Sequence, residues 1–197
     1  MCPRVTAQYK NEVKEKIIQA AITTFSKYGY DKTRMDDIAG NAKISKGTLY
    51  LYFESKEKLF YAISENSITE LKEQLSKLFS KKEDLVSDAE KFYDQYSNLI
   101  HDSEKVSLEM IAESSHNLKL RRALYEHKIK VYDIVINYLN DQREKGFFRK
   151  NIDINAIASG LVALYDGLTI SKLLGINENH NKKAWTETIR AILTGIN

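Results

Sequence analysis

Two short helix signals between Thr33 and Phe53, separated by only a few residues, constrain the fold of this chain more than any other feature. In the first signal, Thr33 has the residue type of an N-cap, and Asp36 follows it by three residues. Its apolar residues have the spacing of a single helix face: Met35, Ile38, Ala39 and Ala42. The sequence therefore predicts a short amphipathic helix that buries one side.

The second helix signal begins at Ser45, which has the residue type of another N-cap. Ile44 precedes this cap and Leu49 follows it by four residues, which is the spacing of a hydrophobic staple. A staple fixes the angle at which the chain enters a helix. Two short helices joined in this way predict a helix-turn-helix.

The first turn of this second helix has a composition suited to a polyanion. It presents the cation of Lys46, the bare backbone of Gly47 and the hydroxyl of Thr48, and Tyr50 and Tyr52 add hydroxyls nearby. Helix N-termini carry unpaired amides, and Gly47 has no side chain that would hold a phosphate or a base edge away. A cap or a staple alone is ordinary structure, whereas their combination predicts DNA binding.

These residues resemble the signature of the TetR/AcrR family of transcriptional repressors. The resemblance includes Thr33, Asp37 to Ala39, Ala42, Ile44 to Phe53 and Lys56 to Leu59. It covers about the first third of the chain, and Tyr52 stands where many members carry His. The resemblance implies an all-α fold of about nine helices. An N-terminal three-helix helix-turn-helix domain would bind DNA, and a C-terminal helical domain would bind a ligand and dimerise.

Positive charge is concentrated in the predicted DNA-binding region. The first 56 residues contain ten Lys or Arg against six Asp or Glu, although the whole chain has a net charge of only +3. Such a surplus fits phosphate neutralisation, and an ordinary solvated face is the alternative. Lys56 is expected to pair with phosphate, or else to be a solvated lysine at a helix end. The predicted DNA-binding residues are Thr33, Arg34, Ser45, Lys46, Gly47, Thr48, Tyr50, Tyr52 and Lys56.

Length and composition predict a globular protein. The helix-turn-helix and the family resemblance divide it into a DNA-binding domain at 1–56 and a helical ligand-binding and dimerisation domain at 57–197. With 197 residues and 43% apolar composition, the chain can bury one substantial core. A single cysteine, Cys2, excludes an internal disulfide framework and fits a reducing compartment. We find no signal peptide and no apolar run that approaches transmembrane length, which predicts a cytoplasmic protein without a membrane contact.

The helix boundaries follow from caps and periodicity. The first helix is predicted from Lys10 to Tyr28, after a mobile arm over Met1 to Tyr9, and Ser55 caps a fourth helix that runs to about Ser80. Further amphipathic helices follow, and Asp153 caps the eighth.

A stripe of small residues on the eighth helix permits close approach of another helix. In the resembled family the last two helices of each subunit form a four-helix dimer interface, which implies a homodimer on a near-palindromic operator. Packing within one chain is the alternative. The residues assigned to dimerisation are Ala156, Gly160, Ala163, Gly167, Trp185, Ile189 and Ile192.

Aromatic residues, histidines and a methionine of helices five to eight are candidates for an effector cavity, since such side chains adapt to bulky apolar ligands. For most of them plain core packing is the alternative. The family resemblance implies a small-molecule effector, apolar or amphipathic, that releases the DNA. The candidates are Tyr93, Tyr96, Met110, His116, Tyr125, His127, Tyr132 and Tyr165.

The sequence gives no indication of catalysis, a metal or a cofactor. The four histidines lack ligand spacing, one cysteine cannot build a thiolate site, and no phosphate loop or nucleophile motif occurs. The main hypothesis is a ligand-responsive, homodimeric repressor whose partners are operator DNA and a small molecule. A helical interaction protein without sequence-specific DNA binding is the alternative, and an enzyme without a recognisable motif is a third hypothesis.

Overall fold

A computed structural model describes residues 6–78, 85–99, 101–147, 149 and 151–195. All regular structure in these ranges is α-helical. The nine helices described there are α1 (Ala7–Tyr28), α2 (Met35–Asn41), α3 (Lys46–Tyr52), α4 (Lys56–Ser76), α5 (Leu85–Leu99), α6 (His101–Glu113), α7 (Leu118–Glu144), α8 (Ile154–Leu173) and α9 (Glu178–Gly195). The prediction of an all-α fold is confirmed.

Helix α1 begins earlier than its apolar period predicts. Thr6 is the N-cap, and its hydroxyl accepts a hydrogen bond of 3.2 Å from the Tyr9 N–H. The predicted arm over Met1 to Tyr9 is therefore wrong from Ala7 onward, and its first five residues lie outside the described ranges. The helix ends at Gly29, whose φ of +83° favours glycine.

The first compact unit comprises Met1–Ser67 and Asp102–Leu124. Its core combines side chains of α1 to α4 with four residues of α6 and α7, which are Val106, Met110, Leu120 and Ala123. Helix α6 and the first turns of α7 thus belong to the same unit as the helix-turn-helix. The compact units therefore differ from a single division of the chain after residue 56.

The second compact unit comprises Ile68–His101 and Tyr125–Asn197. Trp185 of α9 lies at its centre and donates a hydrogen bond of 2.8 Å from Nε1 to the carbonyl of Ala89. Its ring centroid lies 5.9 Å from that of Phe92, 6.1 Å from Tyr93 and 6.0 Å from Tyr165. Aromatic packing from three helices therefore organises this unit.

Helix α8 is apolar on two faces. Ile154, Ala158, Val162 and Leu168 are buried within the unit, yet only 22% of its most apolar 18-residue window is buried. With a mean hydropathy of 1.3, this one helix is long and apolar enough to cross a membrane by length and composition. The expectation that no segment approaches transmembrane length is wrong on that criterion, because apolar residues also occupy the exposed face of α8.

Candidate nucleic-acid interface

Backbone hydrogen bonds fix the turn between α2 and α3. The Ala42 N–H donates to the Ile38 carbonyl at 2.8 Å, and the Ile44 N–H donates to the Ala39 carbonyl at 3.1 Å. Lys43 adopts a φ of +53°, which is uncommon for a residue other than glycine. The short turn therefore sets the orientation of α3 relative to α2.

Helix α3 begins as the sequence predicts. Ser45 is the N-cap, and its Oγ accepts a hydrogen bond of 3.0 Å from the Thr48 N–H. Ile44 is half-buried against the core of the first unit, and Leu49 is fully buried in it. The cap is confirmed, and both residues of the expected staple anchor the helix from its inner side.

The start of α2 differs from the prediction. The N-cap is Arg34 rather than Thr33, and the Arg34 N–H donates to Asp37 Oδ2 at 2.8 Å. Thr33 is only 1% exposed, and its hydroxyl donates to the Gly29 carbonyl at 2.7 Å. Thr33 was therefore wrongly predicted as a cap and as a DNA contact, because its side chain is buried and its hydroxyl is bonded to the preceding turn. Arg34 is exposed.

The outer surface of α3 is open to solvent. Lys46, Gly47 and Tyr50 are exposed, whereas Thr48 and Tyr52 are half-buried. A Cβ added at Gly47 would meet only Ser45 Oγ, at 3.8 Å. Packing within the protein therefore does not require glycine at this position, and the space above it is free for a close approach from outside.

Lys46 is paired within the free protein. Its Nζ lies 2.8 Å and 2.9 Å from the two carboxylate oxygens of Asp36, and this hydrogen bond raises the pKa of the Lys46 ammonium. Both side chains are largely exposed, so solvent screening makes the pair a weak contributor to stability. The pairing of Asp36 with Lys46 is not apparent from the sequence, since it depends on how α2 and α3 pack together.

Lys56 fixes the loop between α1 and α2. Its Nζ donates to the carbonyls of Tyr30 and Asp31 at 2.8 Å and 3.0 Å, and it lies 4.7 Å from the centroid of the Tyr30 ring. From α6, Glu109 Oε2 accepts a hydrogen bond of 3.0 Å from the Tyr30 N–H. The two bonds to carbonyls use two of the three ammonium hydrogens of Lys56. The predicted phosphate contact would therefore use the third.

A surface concavity of about 520 Å³ lies between α1 and α2 in the same unit. It is lined by Thr23, Thr24, Lys27, Tyr28, Lys32, Asp37 and Asn41. The cations of Lys27 and Lys32 were not singled out by the sequence motif, because neither lies in the two short helices. They add positive charge beside the start of α2.

Three of the predicted effector contacts lie outside the core of the second unit. Met110 is fully buried in the core of the first unit, where α6 packs with the helix-turn-helix. His116 is exposed in the turn before α7, and Tyr125 is 65% exposed. Met110 is therefore wrong as a contact within the second unit, because helical periodicity does not show which unit a face packs against. His116 and Tyr125 are too exposed to line an enclosed site.

The other predicted effector contacts belong to the second unit. Tyr93 is buried and Tyr165 half-buried in its aromatic core, and their ring centroids are 6.5 Å apart. His127 and Tyr132 are half-buried on α7. The side chain of Tyr96 lies outside the described part of the structure.

The predicted dimerisation set divides into two groups. The small residues Ala156, Gly160, Ala163 and Gly167 are all exposed on α8. Trp185 and Ile189 are only 6% and 7% exposed and pack in the core of their own unit, so their assignment to a dimer interface is wrong. Ile192 is half-buried.

Within the described ranges, no three His, Cys, Asp or Glu side chains are grouped closely enough to hold a metal ion.

Two models of known protein families match this chain, one in its N-terminal part and one in its C-terminal part. The model of "Bacterial regulatory proteins, tetR family" matches residues 17–63, which contain α2 and α3. The model of "BetI-type transcriptional repressor, C-terminal" matches residues 100–196. The chain belongs to the TetR family of transcriptional regulators. The resemblance inferred from the residues of α3 is thereby confirmed.

The curated relatives match this TetR-family chain over a limited length. An uncharacterised HTH-type transcriptional regulator of Bacillus subtilis, YfiR, is 36% identical over 77 residues, or 39% of this chain and 38% of the relative. The negative regulator of the biofilm operon icaADBC in Staphylococcus aureus, IcaR, is 50% identical over 48 residues, or 24% of this chain and 26% of the relative. The matches therefore cover less than two-fifths of either relative.

Solved structures resemble this TetR-family chain over almost its whole length. The transcriptional regulator FadR of Bacillus subtilis, solved in complex with stearoyl-CoA, has a TM-score of 0.73. The two chains are 20% identical, and the match covers 93% of this chain and 99% of FadR. At this identity the comparison establishes the fold.

Proposed function

We propose that this regulator is a homodimeric repressor that binds a near-palindromic operator through α3 and is released by a small amphipathic effector. The observation that carries the proposal is the outer surface of α3. Lys46, Gly47 and Tyr50 are exposed there on a helix that Ser45 caps and Leu49 anchors. A helix that is anchored on its inner side and open to solvent on its outer side suits the major groove.

Two copies of α3 are needed to read a near-palindromic operator, and α8 is our candidate for the element that joins them. Its exposed face carries small residues, followed by Ile170 at 44% and Leu174 at 78% exposure. A helix that is apolar on both sides is normally covered on both sides. We therefore infer that a second copy of α8 covers the exposed face.

We place the effector within the second unit, which we infer to be the ligand-binding and dimerisation domain. The rings of Tyr93 and Tyr165 offer apolar surface there. Gln142 Oε1, Asn181 Oδ1 and Thr186 Oγ1 are buried oxygens that have no hydrogen-bond partner among the described residues. Buried oxygens and aromatic rings in one unit suit a molecule with an apolar body and a polar, hydrogen-donating group. Operator binding would place the regulator in the cytoplasm.

Selection of bound sequences from a genomic library, followed by titration at fixed salt, tests the DNA-binding part. We expect the double variant Lys46→Ala, Tyr50→Ala to bind the selected fragment at least about tenfold more weakly. The matched control is Lys183→Ala, Tyr125→Ala, which removes an exposed lysine and an exposed tyrosine from the second unit. It should bind like the wild type.

Equal affinity of both double variants for the selected fragment would contradict operator reading by α3. A helical interaction protein would then remain as the interpretation.

For the effector, stearoyl-CoA is the first probe, since FadR was solved with it. We expect a ligand of this amphipathic kind to raise the melting temperature and to dissociate the operator complex.

A further inference from the structure

Leu51 is the most exposed of the large apolar side chains in the described residues, at 85%. It lies two residues after Leu49, which is fully buried. Two residues of an α-helix turn by about 200°, so Leu51 points away from the core of its unit. Gly47 lies two residues before Leu49 and has the same outward direction. Gly47 and Leu51 therefore form one line along the outer crest of α3, one helical turn apart.

A single exposed leucine is normal on a protein surface and needs no function. Leu51 differs in its location, because the neighbouring outward residues of α3 are polar. Lys46 and Tyr50 are exposed beside it, and Thr48 is half-exposed. Gly47 leaves open space in line with the leucine, so a surface that approaches Gly47 closely also meets the Leu51 side chain.

The chemistry of the leucine side chain restricts what it can contact in DNA. It has no hydrogen-bond donor, acceptor or charge, so it gains little from a phosphate or from a polar base edge. In the major groove, the C5-methyl group of thymine is the apolar feature of the base edges. Contact with that methyl group would bury a side chain that is 85% exposed in the free protein.

We propose that Leu51 is a specificity-determining residue that packs against the C5-methyl group of one thymine in each operator half-site. The inference rests on the proposed function, in which α3 enters the major groove. It adds an apolar contact to the polar ones and assigns sequence information to a residue that is not among the predicted DNA-binding residues. Since Leu51 is uncharged, its contribution is independent of the salt dependence of binding.

Replacement of thymine by deoxyuracil in the selected operator tests the contact, because it removes only the methyl group. Each thymine of a half-site is replaced in turn, with the equivalent change in the other half-site. The wild type should bind about fourfold more weakly per half-site at one position, which corresponds to about 0.8 kcal/mol for one buried methyl. Leu51→Ala should bind the thymine operator more weakly and should no longer distinguish the two bases there.

Two further variants separate this contact from a general loss of binding. Leu51→Met keeps an apolar side chain and should retain the preference for thymine. Leu118→Ala removes a leucine that is 75% exposed at the start of α7, and it should behave as the wild type in every titration. Melting temperatures of all variants should agree, since neither leucine is buried.

The inference is overturned if the wild type binds the selected operator but tolerates deoxyuracil at every position. It is equally overturned if Leu51→Ala retains the full preference for thymine. Failure of the proposed function has a different signature, namely that the selection yields no preferred sequence and Lys46→Ala does not change the affinity for any fragment.

Discussion

The two compact units contain long-range contacts of different chemistry. In the first unit, the loop before α2 is fixed by Lys56, which bonds carbonyls 26 and 25 residues away in the sequence. In the second unit, the central contact joins Trp185 to the Ala89 carbonyl across 96 residues, among packed aromatic rings. The contacts that fix this loop of the first unit are polar. The second unit builds an aromatic core from distant segments.

The exposed helix faces of the two units also differ in chemistry. Helix α3 presents polar side chains around Gly47, whereas α8 presents small and apolar side chains around Gly160. A polar face suits a charged duplex, and an apolar face suits another copy of itself. We therefore propose that the polar residues of α3 read DNA and that the exposed face of α8 pairs the subunits, and each part can be tested.

The largest expected effect concerns the aromatic core. Trp185→Ala should lower the free energy of unfolding by about 3–5 kcal/mol, because it empties the centre of the second unit and removes the bond to Ala89. Urea denaturation followed by circular dichroism measures the loss. Tyr125→Ala, at a tyrosine that is 65% exposed, should stay within about 0.5 kcal/mol of the wild type.

If Trp185→Ala instead left the unfolding free energy unchanged and only dissociated the dimer, the original assignment of Trp185 to the subunit interface would be restored.

Local signals in the sequence predicted the helix starts that depend on one or two side chains. Ser45 caps α3 as expected, and Asp153 caps α8, its Oδ1 accepting the Ala156 N–H at 3.0 Å. Thr33 shows where such signals are ambiguous, because a threonine hydroxyl can cap the next helix or bond back to the preceding turn. It does the second, through the Gly29 carbonyl.

Contacts across long sequence separations could not be predicted in the same way. The sequence of the α9 face that contains Trp185 is compatible with a core and with a subunit interface. Only the packing of α5 against α9 shows that this face belongs to the core. Met110 likewise shows helical spacing, but its spacing does not reveal that α6 packs in the first unit. The cap and the staple of α3 were therefore better predicted than the packing of α6 and α9.

The second prediction concerns the exposed face of α8. Gly160→Leu combined with Gly167→Leu should weaken dimerisation at least about a hundredfold, or about 2.7 kcal/mol, because each leucine would prevent close helix approach in both subunits. The fold of one subunit should be unaffected, since a Cβ at either glycine meets nothing within 4 Å. Sedimentation equilibrium measures the dissociation constant.

Gly40→Leu is the control for these leucine substitutions, because it makes the same exchange at an equally open position of α2. It should leave the dimer intact. A dimer that tolerates both leucines on α8 would exclude this face as the interface.

The third prediction concerns the loop contact of the first unit. Lys56→Met should lower the free energy of unfolding by about 1–2 kcal/mol, because the carbonyls of Tyr30 and Asp31 lose a charged donor but remain partly accessible to water. Lys58→Met changes an exposed lysine two residues later and should have little effect. Equal stability of both variants would show that the loop is held without Lys56.

The smallest expected effect concerns the ion pair on the DNA-binding surface. Asp36→Asn frees Lys46 and removes a negative charge from a surface that meets phosphates, so operator affinity should rise by a factor of about two to five. The plot of log affinity against log salt should become steeper by about one unit. Asp133→Asn makes the same charge change at an exposed position of α7 and should alter neither quantity. If both substitutions raise the affinity equally, net charge alone explains the effect. If Asp36→Asn lowers the affinity, the carboxylate holds Lys46 in the orientation that reads DNA, and the pair supports binding rather than opposing it.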